Sequence, residues 1–212
     1  MTTLPHLSLS LMLLTTTAFL LAGLVKGVVG LGLPTLAMAL LALAMPPAQA
    51  AALLILPSLV TNVWQMRPWP TLAPMTRRLW PMQAGVVAGT LGGAWLLGAP
   101  AGAWAMQALG AALVVYGLWG LSGARVPQVP AGAERVLGPL VGAVTGLVTA
   151  ATGVFVIPAV PYLQALGLSR DELVQTMGLS FTVSTVALAA GLMLNGQYSA
   201  AALSGSALML LP

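Results

Sequence analysis

Apolar runs of about twenty residues follow one another along the chain with short polar gaps between them, the pattern of helices that cross a bilayer repeatedly. The first run covers residues 7–45 and is interrupted by Gly27, Gly30, Gly32 and Pro34. At a rise of ~1.5 Å per residue it exceeds one crossing of a ~30 Å hydrocarbon core, so it predicts two helices meeting at a Gly/Pro break. After Pro46-Pro47 comes a span over 48–66, then a polar, proline-rich linker over 67–80. Spans over 82–97 and 102–121 are joined by the turn Gly98-Ala99-Pro100-Ala101. A second linker, 122–135, leads to another broken stretch, 136–168, interrupted at Thr152-Gly153 and Pro158. Past Ser169-Arg170-Asp171-Glu172 lie a span to Leu194, a turn at Asn195-Gly196-Gln197 and a last apolar piece reaching Pro212. A membrane β-barrel would need ~10-residue segments of alternating polarity, and the sequence has no such alternation.

The order of broken stretch, span, polar gap and span occurs twice. Gly23-Leu24-Val25 recurs as Gly146-Leu147-Val148, and the same offset pairs Gly30 with Gly153, Leu40 with Leu163 and Leu43 with Leu166. A Gly-broken segment recurring at a fixed offset predicts a single membrane domain built of two transmembrane repeats, residues 1–122 and 123–212. A full second copy would run past residue 212, so the second repeat reads as incomplete at its C-terminal end, either in a fragment or in a naturally shortened half. Arginines orient the halves. The 67–80 gap carries Arg67, Arg77 and Arg78, while its counterpart at 195–199 carries no charge; the 169–172 gap carries Arg170, while Pro46-Pro47 carries none. With basic gaps facing the cytoplasm, equivalent loops fall on opposite sides. The expected fold is therefore an all-α integral membrane protein with an inverted repeat of transmembrane helices, each half opening with a Gly/Pro-broken hairpin that enters and leaves on one side. Trp69, Trp80 and Trp119 fall near the basic side and Trp95 and Trp104 near the other, as interfacial belts do.

Composition sharpens the class. Of 212 residues, 59% are hydrophobic and 5% charged, against about 25% charged in ordinary soluble domains. Seven basic and three acidic side chains cannot cover a water-facing surface, which excludes a soluble enzyme. The net charge of +4 is no nucleic-acid footprint, because six of the seven basic residues sit in gaps between apolar runs; no nucleic-acid partner is expected. The chain has no cysteine and one histidine, His6, without metal ligands spaced around it, so no metal and no cofactor are expected. Leu9 to Leu14 follow no Lys or Arg and precede no small-x-small cleavage site, so this segment reads as a retained span.

Glycine and proline within a span free backbone groups that cannot face hydrocarbon, so such breaks are buried in protein or line a wet cavity. Two breaks entering from opposite faces are expected to meet near the midplane. Helices starting around Pro34 and Pro158 would there present free N–H groups and positive dipole ends to an anion. The alternative is that the glycines only let helices pack closely. Lys26 is the one ionisable residue well inside an apolar stretch, where a charge costs at least ~2.5 kcal/mol and marks a pathway, unless it snorkels to an interface. Ser58, Thr61, Asn62 and Gln65 share one helical face, as do Gln175, Thr176 and Ser180, either as site residues or as interhelical hydrogen-bonding groups. Asn62 and Gln65 are the costliest of these to leave unpaired. The candidate substrate-binding set is Lys26, Gly27, Gly30, Gly32, Thr61, Asn62 and Gln65 from the first half with Thr149, Thr152, Gly153, Gln175, Thr176 and Ser180 from the second. Asp171 and Glu172 read as helix-start acids that complement the dipole. With no buried carboxylate pair and no usable His or Cys nucleophile in the sequence, no enzyme is expected.

The segment Gly23-Leu-Val-Lys-Gly-Val-Val-Gly-Leu-Gly-Leu-Pro34 resembles the first Gly-rich motif of the sulfite exporter TauE/SafE family, also called the toluene sulfonate uptake permeases. Gly146-Leu-Val-Thr-Ala-Ala-Thr-Gly-Val-Phe-Val-Ile-Pro158 resembles its second copy, and the order of spans fits from residue 9 onward. The family's Gly-Gly-Gly is thinned here to Gly30-Leu-Gly32 and Thr152-Gly153. The resemblance implies a multi-pass transporter of the bacterial inner membrane, a secondary-type carrier for export or uptake of sulfite, sulfonates or related organosulfur anions. The alternative is a non-transporting membrane subunit or scaffold.

Overall fold

The computed structural model describes residues 9–31, 33–100, 102–123, 126–198 and 200–211; His6 and Gly32 lie outside them. The described residues form helices and connecting loops without a strand. α1 (Leu9–Val29) runs unbroken through Gly23 and Gly27 and ends where Gly30 turns left-handed, at φ 76°, and donates its N–H to the Lys26 carbonyl at 2.8 Å. α2 (Leu33–Leu41) resumes the chain, and α3 (Pro47–Gln65) opens with proline at its first position, where no N–H is needed. α4 (Leu72–Leu97), α5 (Gly102–Ser122) and α6 (Ala131–Thr152) follow. Gly153 repeats the stop of Gly30, with φ 74° and its N–H on the Thr149 carbonyl at 2.8 Å. α7 (Ala159–Gln164), α8 (Arg170–Leu194) and α9 (Ala200–Leu208) complete the order. Ser169 caps α8 in a reciprocal box with Glu172, so that acid does sit in the first turn as expected. Among the described residues five helices, α1, α3, α5, α6 and α8, are long and apolar enough to cross a membrane. The chain is a multi-pass, all-α membrane protein.

Two linkers are shorter than expected. The loop after α3 ends in a single 3-10 turn, Trp69–Thr71, and α4 then carries Arg77, Arg78 and Pro81 within it. Pro74 stands in the first turn, whose N–H groups have no intrahelical partner anyway, so proline there does not delay the helix. Likewise α6 begins at Ala131 and takes in Glu134 and Arg135. Polarity in these segments marks helix ends that leave the apolar layer, not loops. Arg78 joins the two ends, donating to both Glu134 carboxylate oxygens at 2.6 and 2.9 Å and to the Leu166 carbonyl at 3.1 Å.

α4 and α6 form the closest pair in the bundle, glycine against backbone. A Cβ added at Gly142 would collide with the Met82 carbonyl and lie 2.9 Å from the Val86 nitrogen, and one at Gly89 would run into the Ala143 backbone. In lipid, hydrophobic burial does not drive helices together, and close backbone approach with its dispersion contacts takes over that role. α8 lies along α4, tied to it by Gln83 Nε2 donating to Ser180 Oγ at 2.7 Å, and α3 lies along α8. α1 packs chiefly on α2 and leaves Leu13, Leu24 and Val28 exposed, where lipid belongs.

The helix ends gather in two groups. Thr71 bonds Gln175 at 3.1 Å and the Val129 N–H bonds the Ala165 carbonyl at 2.9 Å, so the segments around 67–71, 126–130 and 165–169 share one end. The Ala48 N–H bonds the Pro100 carbonyl at 3.0 Å and Asn195 bonds the Ala94 carbonyl at 3.1 Å at the other end. The broken stretch of α6 and α7 thus starts and finishes at the same end. The arginine-bearing gaps fall together with it.

Candidate functional site

Lys26 lies a turn before the break at Gly30, and its side chain turns inward until only 7% of the residue is exposed. Its Nζ donates to the Oδ1 of Asn62 on α3 and sits 5.8 Å from the ring centroid of Phe181 on α8. Asn62 is fully buried and donates from Nδ2 to Thr185 Oγ1 at 3.3 Å, and Thr185 in turn donates to the Phe181 carbonyl at 2.7 Å. Lysine is a donor only, so the amide of Asn62 has one possible orientation here, oxygen toward the ammonium. Among the described residues no carboxylate comes within ion-pair distance of Lys26; the one ion pair is Arg78 with Glu134.

Beside the ammonium is a cleft of about 500 Å³ between α1 and α3, lined by Lys26, Gly23, Gly27, Gly30, Thr61 and Gln65 together with Val60, Trp64 and Val174. Side chains at Gly23 and Gly27 would point into open space, so the bare α1 backbone is what makes the room. Gln65 closes one end. Its Nε2 donates to the carbonyls of Gly30 at 3.1 Å and Val174 at 3.2 Å, which satisfies the backbone oxygen freed by the break.

Gly27, Gly30 and Val174 also line a second cavity of about 910 Å³, which opens toward the 67–71 loop and carries Arg67, Arg170 and Gln175. Gln175 fixes its wall, donating to the Met66 and Pro68 carbonyls at 2.8 and 2.6 Å. The Arg67 guanidinium stacks over the Trp64 ring at 3.6 Å, and Trp64 belongs to the first cleft, so this pair stands where the two cavities adjoin. In the sequence, Arg67 marks only the orientation of its loop, and neither Trp64 nor Phe181 stands out. The Trp64–Arg67 spacing of one helical turn was an available signal for the first pair; Phe181 had none.

The structure therefore brings together Lys26, Gly27, Gly30, Thr61, Asn62 and Gln65, with Gln175 in the adjoining vestibule. Gly32 lies outside the described residues, and Thr149, Thr152, Gly153, Thr176 and Ser180 line neither cavity. Thr149 and Thr152 donate to the Thr145 and Val148 carbonyls of their own helix, Thr176 does the same to Leu173, and Ser180 accepts from Gln83. Thr61 also bonds its own helix, at the Pro57 carbonyl, though it stays on the cleft wall.

The two breaks do not meet at the midplane. Gly30 is fastened to Gln65, whereas a Cβ at Gly153 would lie 3.2 Å from Ala51 Cβ and 3.0 Å from Met38 Cε. Ala51 and Gln65 are fourteen residues apart on α3, about 21 Å of helix axis, farther than a small anion reaches. The reason is helix length: α1 and α6 stay helical for 21 and 22 residues and cross most of the apolar layer before they break. The starts of α2 and α7 line neither cavity. In α7 the Val160 and Tyr162 N–H groups are already bonded to Val156 and Pro158 carbonyls, at 2.9 and 3.2 Å. Between the second break and Lys26 stand the Phe155 and Phe181 rings, 5.3 Å apart.

The family model for the sulfite exporter TauE/SafE matches residues 15–212 of the chain. Neither a curated protein nor a solved structure matches it.

Proposed function

Because the chain belongs to the sulfite exporter TauE/SafE family of membrane transporters, we propose that it is a secondary-type carrier of small anions, exporting or importing sulfite, sulfonates or related organosulfur compounds across a bacterial inner membrane. The observation that carries this reading is Lys26, a buried ammonium without a carboxylate partner on the wall of a cleft large enough for such an anion. A charge at this depth is costly, and a bound anion offsets that cost. Arg67 and Arg170 line the vestibule that leads to the cleft, with Asp171 and Glu172 beside them, while the Thr61, Gln65 and Gln175 donors hold the wall in place through backbone carbonyls.

Residues 1–122 and 123–212 are read as two halves related by an inverted repeat. Three features support this. Asn62 and Thr185, which bond each other, are equivalent positions at the offset of 123. Gly30 and Gly153, also equivalent, end their helices in the same left-handed turn. The bond from Gln83 to Ser180 has its counterpart in Ser206, equivalent to Gln83, which donates to the Leu53 carbonyl that Pro57, equivalent to Ser180, leaves without a helical N–H, at 2.9 Å. An inverted repeat of this kind would carry an in-plane two-fold axis through the crossing of α3 and α8.

The test is flux of sulfite, sulfonates, sulfate and carboxylates into proteoliposomes, compared between the parent and Lys26→Met. Lys26→Met is expected to insert and fold while losing at least ~10-fold in anion affinity, the loss of one charge-assisted contact. Normal transport by Lys26→Met at limiting and saturating anion would make the lysine an interfacial anchor and remove this site. No flux by the parent under any gradient would favour a non-transporting membrane subunit.

A further inference from the structure

We propose that Asn62 is the internal stand-in for the transported anion: its amide oxygen holds the Lys26 ammonium while the cleft is empty and gives it up when an anion arrives. This rests on Lys26 being the anion's counter-charge. The geometry leaves the ammonium two places to be. Phe181 closes its inner side, and only the Asn62 oxygen and the cleft remain. Asn62 cannot follow the ammonium, because its Nδ2 is held by Thr185 and the residue is fully buried.

The acceptor is neutral, and that matters. A carboxylate at position 62 would form a buried ion pair with Lys26, which is costly to break by removal of one partner. An amide oxygen keeps the ammonium hydrogen-bonded in the empty state yet loses to any acceptor that carries full negative charge. Asn62 thereby acts as a positioning residue that favours anions over neutral solutes. It also ties α1, which packs chiefly on α2, to α3. Exchange of the ammonium from Asn62 to the anion therefore changes how α1 is held, and it does so only when the cleft is filled.

An internal competitor lowers apparent affinity, and its removal raises it. The experiment measures binding of inorganic sulfate and methanesulfonate to the purified full chain by calorimetry, together with thermal unfolding, for the parent, Asn62→Asp, Asn62→Ala and Lys26→Met. Asn62→Asp is expected to raise the unfolding temperature and weaken binding about 100-fold or more, since the Thr185 hydroxyl can turn to donate to the new carboxylate while Lys26 stays locked. Asn62→Ala is expected to lower the unfolding temperature and tighten binding about tenfold. Stability and affinity moving in opposite directions is an outcome that a merely structural Asn62 would not give. Asn62→Asp binding within about threefold of the parent, or Asn62→Ala losing affinity along with stability, overturns the exchange. Should Asn62→Ala fail to fold, the near-isosteric Asn62→Asp decides alone. Lys26→Met binding both probes like the parent overturns the site itself, as does a parent that binds neither, whereas loss in Lys26→Met with normal Asn62→Asp overturns only the role of Asn62.

Discussion

Alanine at Gly153 and alanine at Gly30 make one chemical change at two equivalent positions, and the structure assigns them different costs. Both glycines hold φ near +75°, at 74° and 76°, a region that costs an L-residue about 1–2 kcal/mol. At Gly30 nothing further is added, because the new methyl would lie 3.7 Å from Gln65 Nε2 and 3.9 Å from Met177 Cε, in ordinary contact. At Gly153 it would lie 3.0 Å from Met38 Cε and 3.2 Å from Ala51 Cβ. The end of Met38 can swing aside, but Ala51 is fixed to α3 and can move only with that helix. Overpacking of this kind adds about 1–3 kcal/mol. Gly153→Ala is therefore expected to lose roughly 2–5 kcal/mol and Gly30→Ala roughly 1–2 kcal/mol. Thermal unfolding in detergent, followed by the fluorescence of the six tryptophans, measures the difference. Transport divides the other way, because the methyl at Gly30 enters the wall of the anion cleft and that at Gly153 does not. Equal destabilisation at the two sites, or a larger loss at Gly30, would refute the packing argument; a transport defect confined to Gly153→Ala in folded protein would refute the location of the site.

Gly142→Ala should cost about 3 kcal/mol or more, because the new methyl would run into the Met82 and Val86 backbone and α4 must retreat as a helix, an overpacking penalty well above the ~1 kcal/mol gained in helix propensity. Gly110→Ala on α5, where nothing lies within 4 Å of the added atom, should be neutral or stabilising, and unfolding in detergent compares the two. Single cysteines at Thr71, Ser122 and Gln197 in this cysteine-free chain should be labelled by an impermeant reagent from one side for 71 and 122 and from the other for 197. α4 and α5 together return the chain to its starting end, and α8, 25 residues long with Gln175 held beside Thr71, carries it across. Labelling of 71 and 197 from the same side would end the inverted-repeat reading.

The sequence alone was enough to determine that this chain crosses a membrane several times and where its helices break. Hydrocarbon offers no partner for a backbone N–H or C=O, so apolar run length and the placement of Gly30, Gly153 and Pro47 leave little freedom in the secondary structure. The grouping of arginine gaps at one end was legible for the same reason, since charge cannot stay in the apolar layer. Helix starts at Leu72 and Ala131 were hidden, because a polar segment reads alike whether it is a loop or a helix end standing in water. Depth and facing were decided only by tertiary structure. Lys26, Asn62 and Thr185 meet because α1 and α8 each bring a side chain to one point of α3. Thr149 stands where the repeat places a counterpart to Lys26, yet it is fully buried and bonded to Thr145 on its own helix. Equal spacing along two helices gives equal faces, and the neighbour that covers each face decides whether it becomes a site or a seam.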